Sequence, residues 1–368
     1  MLAGAVTLAG GLAGAAHASN AGSLEAEFDT AFIKQSVAPT RLPPATLPVV
    51  RRGTPANIPL LALTPVRPSY TASSFAAPNY APPVYATPLE ASIASLADGS
   101  QGRIGVAAID LASGRTVAVL GDQAFPMAST SKIAIVATYL AGVDTGRYTL
   151  ADQYPMMMPV ASKKFSSLTA PVRAGQMRSA LDLIELTITR SDNHATDALL
   201  AAVGGPQVVT RWVQSNTGIT EFRLDRTIAT LVRDDGAINP AVNIDKRDSV
   251  TPLAMVRLLS GIYRGQWLSP ASSEVLMGAM SRTVTGKTRI RGLLPEGTQV
   301  AHKTGTLANT ASDVGFIRTP DGRELAVAIY VTGQGGKAER NARIASLARA
   351  IYDGYLAEAS SQRRAAPR

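Results

Sequence analysis

Two β-hairpin patterns lie near the two ends of the part of the chain that has a regular hydrophobic periodicity. Residues 103–121 form two runs rich in β-branched and apolar side chains around a Ser-Gly pair, and residues 311–333 repeat this arrangement around Pro-Asp-Gly. Turn residues between two such runs are typical of hairpins. The sequence therefore predicts a sheet that receives strands from both ends.

Helical patterns lie before, between and after the hairpins. A proline start, apolar residues at helical spacing and a glycine stop predict a short helix over 88–99, and apolar residues recur helically between Ile344 and Tyr355. Residues 129–285 are mostly helical in pattern. We therefore expect an α/β (α+β) fold in which a sheet flanked by helices adjoins an all-helical lobe, with a cleft between them.

The two ends of the chain differ in composition from its body. Residues 1–18 are apolar and end in Ala-His-Ala, which fits an export signal, although the first basic residue is Lys34. Either the true start lies upstream or the segment is a flexible one. The stretch 19–87 is proline-rich and predicts a linker, and 359–368 predicts a basic flexible tail. This leaves 88–358 as the expected catalytic domain.

Composition excludes several kinds of chemistry. The chain has no cysteine and three histidines, none paired at metal-ligand spacing, so we expect neither a thiol nucleophile nor a zinc site. More than half of the net charge of +9 lies in the two ends, and no basic stripe interleaved with aromatic residues is present. We therefore expect no nucleic-acid partner. The apolar start is too short and glycine-rich to predict stable membrane insertion.

Ser129 and Lys132 begin a strongly apolar helical pattern. Residues three apart lie on the same face of a helix. A buried lysine there can hold the serine hydroxyl and accept its proton if burial lowers its pKa. A capping serine beside a solvated lysine fits the same pattern.

Two further polar motifs lie downstream. Ser191-Asp192-Asn193 separates two helical patterns, and Lys303-Thr304-Gly305 ends a strand-like run. A helix cap and a solvated edge strand explain them equally well when each is taken alone. A glycine in the strand also permits close approach of another backbone.

Ser-x-x-Lys, Ser-Asp-Asn and Lys-Thr-Gly in this order are together the signature of class A β-lactamases and penicillin-binding proteins. The chain resembles a class A β-lactamase over about residues 88–358, through "FPMASTSK", "SDNHATDALL", "RLDR", "RDSVTP" and "KTGT". This resemblance implies a serine hydrolase that needs no metal or organic cofactor.

The resemblance also implies a role for each matching residue. Ser129 would be the nucleophile, with Lys132 as its proton acceptor or electrostatic partner. The backbone amides of Ser129 and Thr306 would form the oxyanion hole. Ser191 would pass a proton to the departing lactam nitrogen, and Asn193 would bind the amide of the substrate side chain.

The third motif and a nearby arginine would bind the substrate carboxylate. Lys303, Thr304 and Gly305 would line this end of the site, and Arg289 matches one of the places where the family carries an arginine. A solvated surface arginine is the alternative for Arg289. His302 is expected to pack or hydrogen-bond under the sheet.

The sequence departs from the family at the deacylation step. The family's glutamate lies two residues after the arginine of "RLDR", and Ile228 occupies that position. Arg226 and Asp248 match the ion pair at the neck of the Ω-loop but lie further apart than in the family. Counting back from Asp248 instead places Asp235 at the glutamate position and Asn239 at its water-sharing partner.

An insertion after Arg226 explains both misalignments. Asp235 and Asn239 are spaced i,i+4, so a helical turn would make them face the same way. The adjacent Asp234 is a competing candidate for the same role. If neither acts, the enzyme acylates and stalls.

We therefore predict an exported, monomeric serine hydrolase that opens a small-molecule β-lactam. A D-alanyl-D-alanine peptidase or another penicillin-binding serine hydrolase is the second enzymatic hypothesis. An acylation-only sensor or inactive scaffold is the third hypothesis.

Overall fold

The central sheet joins strands from the two ends of the described chain. The computed structural model describes residues 87–365, and side chains as far as Ser360. In this part the main sheet has the strand order β2-β1-β9-β8-β7, and every neighbouring pair is antiparallel. Strand β1 pairs with β9 from Gly102↔Gly333 to Asp110↔Leu325. The sheet therefore forms only when distant segments meet.

The strands of residues 87–365 are β1 Gly102–Asp110, β2 Thr116–Val119, β3 Phe125–Pro126, β4 Gln153–Pro159, β5 Val172–Ser179, β6 Ser249–Val250, β7 Val300–Leu307, β8 Thr310–Arg318 and β9 Glu324–Gly333. The helices are α1 Pro88–Leu96, α2 Lys132–Asp144, α3 Ala180–Thr189, α4 Asn193–Val203, α5 Pro206–Thr217, α6 Ile228–Arg233, α7 Pro252–Tyr263, α8 Pro270–Ser281 and α9 Lys337–Ala365. Short 3₁₀ helices cover Ala128–Ser131 and Ile290–Leu293.

Both faces of the sheet are buried, each in its own apolar core. Successive side chains of a strand point to opposite faces. On β1, Val106 and Ala108 pack with α1 and α9, whereas Ala107 and Ile109 pack with the helical lobe. The apolar run of β1 is therefore continuous rather than alternating. The sheet lies between the terminal helices and the lobe that carries α2.

The predicted hairpins and terminal helices are confirmed. Pairs β1–β2 and β8–β9 are the two hairpins, and α1 and α9 are the two helices. The prediction that the lobe is entirely helical is wrong, because β4 and β5 pair as a hairpin and β3 pairs with β6. Strand β5 is mostly exposed and lacks a clear apolar alternation, so its sequence gave no strand signal.

The termini are only partly described. The predicted signal 1–18 and all but the last residue of the predicted linker 19–87 lie outside the described residues. Thr87 caps α1 by accepting a hydrogen bond from Glu90 N at 3.2 Å. Helix α9 extends past the predicted domain boundary at 358, to Ala365. Between residues 87 and 365, no helix has the length and apolar character required to cross a bilayer.

Candidate active site

Ser129 lies on a tightly packed 3₁₀ turn that leads directly into α2. Strands β3 and β6 pair just before this turn, and Met127 N donates to the carbonyl oxygen of Asp248 at 2.9 Å. Ala128 has a φ of 49°, which is unusual for a residue with a side chain. Such strained backbone conformations concentrate at functional sites. The residue before the predicted nucleophile is thus held in a costly conformation by its surroundings.

Lys132, at the start of α2, is fully buried at 0% exposure. Its Nζ donates to the carbonyl oxygen of Ser191 at 2.5 Å, to Ser191 Oγ at 3.2 Å and to Asn193 Oδ1 at 2.8 Å. Burial lowers the pKa of Lys132 to about 7, although the nearby carboxylates of Asp192 and Asp197 raise it. A lysine with this pKa is partly neutral near pH 7 and can accept a proton.

Ser191 lies between two lysines. Its Oγ accepts from Lys132 Nζ at 3.2 Å and from Lys303 Nζ at 2.8 Å. Its φ of 57° lies in the left-handed region, and both its carbonyl oxygen and its hydroxyl reach Lys132. The structure thus brings the Ser-x-x-Lys, Ser-Asp-Asn and Lys-Thr-Gly motifs together.

Strand β7 forms the other wall of the site. Lys303 is buried and also donates to the carbonyl oxygen of Thr304 at 2.8 Å. The hydroxyl of Thr304 pairs with that of Thr285 at 2.7 Å. Gly305 packs against the turn before Ser129: a Cβ placed on it would lie 2.7 Å from Met127 O and 3.1 Å from Ala128 Cβ. Glycine is therefore required where β7 meets the serine turn.

Arg289 is not a solvated surface residue, because it is only 1% exposed. Its Nη1 donates to the carbonyl oxygens of Gly305 and Ser312, both at 3.0 Å, and its Nε donates to Asn341 Oδ1 at 2.9 Å. Its Nη2 donates to Thr306 Oγ1 at 2.7 Å. Thr306 is exposed, so the guanidinium reaches the cleft through the hydroxyl of this residue.

His302 lies under the sheet, as predicted. It is 0% exposed, and its Nδ1 lies 2.8 and 2.9 Å from the two carboxylate oxygens of Asp313. Asp313 also accepts from Ile290 N at 3.1 Å. This pair supports β7 and β8 behind the site. Within residues 87–365, no group of three or more His, Asp or Glu side chains is arranged to hold a metal ion.

The ion pair predicted at the loop neck is present. Arg226 Nε lies 2.5 Å from Asp248 Oδ2, and Asp248 Oδ1 accepts from the backbone N–H of Asp225 and Arg226 at 2.8 and 3.0 Å. Helix α6 starts at Ile228, whose side chain is 2% exposed and belongs to the core of the lobe. The position that matches the family's glutamate is therefore apolar and buried.

Asp235 and Asn239 do not share a helical turn, so this expectation is wrong. Helix α6 ends at Arg233, because the following residues form turns that carry Gly236 in the left-handed region. The Asp235 carboxylate instead accepts from Ala308 N at 2.8 and 3.1 Å and from Gly236 N at 2.8 Å. Burial raises its pKa. Asn239 Oδ1 accepts from Asn309 Nδ2 at 2.8 Å, so both side chains contact the β7–β8 turn.

Asp234 also has fixed partners. Its carboxylate pairs with Arg233 at 2.8 Å and accepts from Phe165 N at 3.0 Å. Arg233 in turn donates to Ser167. These contacts tie the loop to the tip of the β4–β5 hairpin.

Sequence reasoning missed Asp197, which is 5% exposed on α4. Its two carboxylate oxygens accept from Ile228 N at 2.7 Å and Ala229 N at 2.8 Å. An acidic residue in the middle of an apolar helix was the only signal in the sequence.

A model of the β-lactamase enzyme family matches residues 88–355. The chain belongs to this family. It is 32% identical over 273 residues to β-lactamase CTX-M-8 from Citrobacter amalonaticus, covering 73% of this chain and 89% of that protein. With the ancestral (GNCA) class A β-lactamase structure it shares 35% identity and a TM-score of 0.61, covering 72% of this chain and 99% of that one.

A further solved structure has a similar fold. A β-lactamase from Chitinophaga pinensis is 27% identical, with a TM-score of 0.63 and coverage of 73% and 100%. The chain is therefore a class A-type β-lactamase with the expected α/β (α+β) architecture. The motif residues described above meet where strand β7 of the sheet adjoins helix α2 of the helical lobe.

Gly305→Ala should displace the serine turn. The added Cβ would lie 2.4 Å from Ser312 Oγ and 2.7 Å from Met127 O, so β7 or the turn must move. A misplacement of about 1 Å can cost on the order of 100-fold in rate. Stopped-flow acylation by a chromogenic β-lactam measures the loss. Gly278→Ala is the control, because the nearest atom there, at 3.2 Å, is the flexible end of Arg282. Equal rates in both variants would contradict the close-approach role.

Arg289→Ala should raise the KM for β-lactams that carry a carboxylate, because the guanidinium reaches the cleft through Thr306. A double-mutant cycle with Thr306→Val checks this route. In the Thr306→Val background, Arg289→Ala should add little to KM. Fully additive effects would show that Arg289 acts independently of this hydroxyl.

Proposed function

We propose that this protein hydrolyses β-lactams through an acyl-enzyme on Ser129. The observation that carries the proposal is the position of Ser191 Oγ between Lys132 and Lys303. This arrangement provides a hydroxyl that can relay a proton and two amines that can supply or hold it. The family membership and the relatives named as β-lactamases support the same reaction.

In acylation, Ser129 Oγ attacks the lactam carbonyl carbon and loses its proton. Lys132 takes this proton when it is neutral, and its pKa of about 7 allows this near neutral pH. The carbonyl C–N bond then breaks, and the nitrogen receives a proton through Ser191 Oγ. The product is an ester on Ser129 with an opened ring.

The remaining motif residues bind and stabilise the substrate in this proposal. The backbone N–H groups of Ser129 and Thr306 form the oxyanion hole, supported by the close packing of Gly305 on the serine turn. Lys303 and Thr304 face the substrate carboxylate, and Asn193 faces the amide of its side chain. Asn193 Oδ1 already accepts from Lys132, which leaves its amide nitrogen to donate.

Deacylation requires water and a proton acceptor, and we propose Asp235 for this role. Burial raises the pKa of its carboxyl, which makes the carboxylate a better proton acceptor. Its carboxylate accepts from two backbone N–H groups, that of Ala308, which is shared between both oxygens, and that of Gly236. Two carboxylate oxygens offer about four lone pairs, so room remains for a water. Asn239 supports the same loop from Asn309.

Ser129→Ala should abolish covalent labelling by penicillin, because it removes the oxygen that forms the ester. Intact-protein mass spectrometry detects the adduct. Ser131→Ala is the matched control: its buried hydroxyl donates to Ala128 O at 2.9 Å and has no role in the proposed reaction, so labelling should persist. An adduct on another residue of the Ser129→Ala protein would refute the assignment.

Asp235→Asn should leave acylation nearly unchanged and trap the acyl-enzyme, because an amide can hold a water but cannot take its proton. Burst and steady-state phases with a chromogenic cephalosporin separate the two steps. Asp245→Asn removes a charge from the same loop and should turn over normally. Asp245 accepts from the backbone N–H of Arg247 at 3.0 Å and pairs with its exposed side chain at 2.7 Å.

Asp235→Ala distinguishes a base from a loop anchor. An anchor can be replaced by asparagine, whose oxygen still accepts from Ala308 N, but not by alanine. If Asp235→Asn turns over like the parent while Asp235→Ala does not, Asp235 only holds the loop.

The presence of Ile228 at the position of the family's glutamate favours a second candidate function, an acylation-only penicillin sensor. Its buried side chain leaves no carboxylate at the family's deacylation position. A parent protein that releases one equivalent of chromophore and then stops would establish this function. Steady turnover would establish hydrolysis.

A further inference from the structure

Asp197 is a buried carboxylate beside the active site that the reaction described above does not use. It lies on α4, one helical turn after Asn193, and both residues point toward the region of Lys132 and α6. Asn193 Oδ1 accepts from Lys132 Nζ at 2.8 Å. Residues four apart on a helix share one face. Asp197 therefore lies on the same face of α4 as the residue that contacts the lysine.

The partners of Asp197 lie on the loop helix. Its Oδ1 accepts from Ile228 N at 2.7 Å and its Oδ2 from Ala229 N at 2.8 Å. These are free N–H groups of the first turn of α6, where a negative charge is favourable. The carboxylate thus joins α4 to the position at which the family carries its glutamate.

We propose that Asp197 is a positioning residue for Lys132: it sets the charge state of this lysine and fixes the first turn of α6 beside it. This inference rests on the proposed acylation of Ser129. With Ile228 at the glutamate position, the loop helix itself offers no acidic side chain there, and Asp197 supplies a negative charge from α4.

Electrostatics agree with this placement. The carboxylate of Asp197 raises the pKa of Lys132 against the effect of burial, and the lysine in turn favours the ionised form of Asp197. Burial opposes this by raising the pKa of Asp197, and the two backbone hydrogen bonds lower it. Both oxygens already accept backbone hydrogens, so Asp197 acts through its charge rather than by taking a proton from substrate.

Other charged groups near Lys132 are few. Asp192 caps α4 and also raises the pKa of the lysine, while Lys303 shares Ser191 Oγ with it. His194 acts on Asp197. The remaining helices packed on α2 carry charged side chains that are exposed or half-buried and do not contribute to the shift of Lys132: Asp182, Glu185, Arg211 and Glu274.

The test is the pH dependence of the acylation rate of the full chain with a chromogenic cephalosporin. Asp197→Asn removes a negative charge near the ammonium, so the pKa of Lys132 falls. The limb of the profile that belongs to Lys132 should then move to lower pH by about one unit. This direction holds whether the neutral or the charged lysine is the active form.

Asp248→Asn is the matched control. Asp248 is likewise buried and accepts from two consecutive backbone N–H groups of the same loop, but it does not contribute to the pKa shift of Lys132. The Asp248→Asn protein should be less stable and should acylate more slowly, while the Lys132 limb of its pH profile stays in place. If Asp197→Asn gives that same result, Asp197 only anchors the helix and the proposal is overturned.

Asp197→Glu is the second variant, for use if Asp197→Asn does not fold. It keeps the negative charge but cannot keep both short hydrogen bonds. The Lys132 limb of its pH profile should therefore stay near that of the parent protein, while its acylation rate falls. A shift to lower pH in this variant would overturn the proposal. A parent with no acylation on Ser129 would overturn both this inference and the proposed function, whereas an unmoved limb in a folded Asp197→Asn protein overturns the inference alone.

Discussion

The buried ammonium of Lys132 is the constraint around which the site is built. An isolated buried charge is very unfavourable unless hydrogen bonds or opposite charges compensate it. The compensation comes from Ser191 and Asn193, which lie on a different segment from the lysine, and from nearby Asp192 and Asp197. The left-handed backbone at Ser191 is part of this arrangement, because it allows one residue to offer two oxygens. The pKa of about 7 that results allows this lysine to accept a proton near neutral pH.

The loop between Arg226 and Asp248 is anchored at its neck and to three neighbouring elements. Its neck is closed by the ion pair of these two residues, and its helix is capped from α4 by Asp197. Asp234 connects it to the β4–β5 hairpin, and Asp235 connects it to the β7–β8 turn. The acidic residues of the loop therefore have structural partners first, and any chemistry at Asp235 must operate within that network.

The sheet fixes the position of strand β7 relative to the serine turn. Gly305 allows the serine turn to approach β7, and the buried guanidinium of Arg289 binds the carbonyl oxygens of β7 and β8. His302 and Asp313 join the same two strands from below. A displacement of β7 would therefore move Lys303 and Thr306 together, relative to Ser129. This explains why three short motifs need a fold of this size to bring them into contact.

The sequence by itself determined the hairpins, the terminal helices, the three motifs and the buried character of the helix after Ser129, because these depend on local periodicity and on the spacing of a few residue types. It also predicted the Arg226–Asp248 pair. It could not determine which groups meet Asp235, Asn239 and Arg289, or that Asp197 binds the first turn of α6, because those contacts join segments far apart in the chain. It mistook the β4–β5 hairpin for helix, since exposed strands carry little apolar alternation. Only the tertiary structure decides whether a carboxylate anchors a loop, tunes a lysine or holds a water, because that depends on which donors the fold brings within hydrogen-bonding distance.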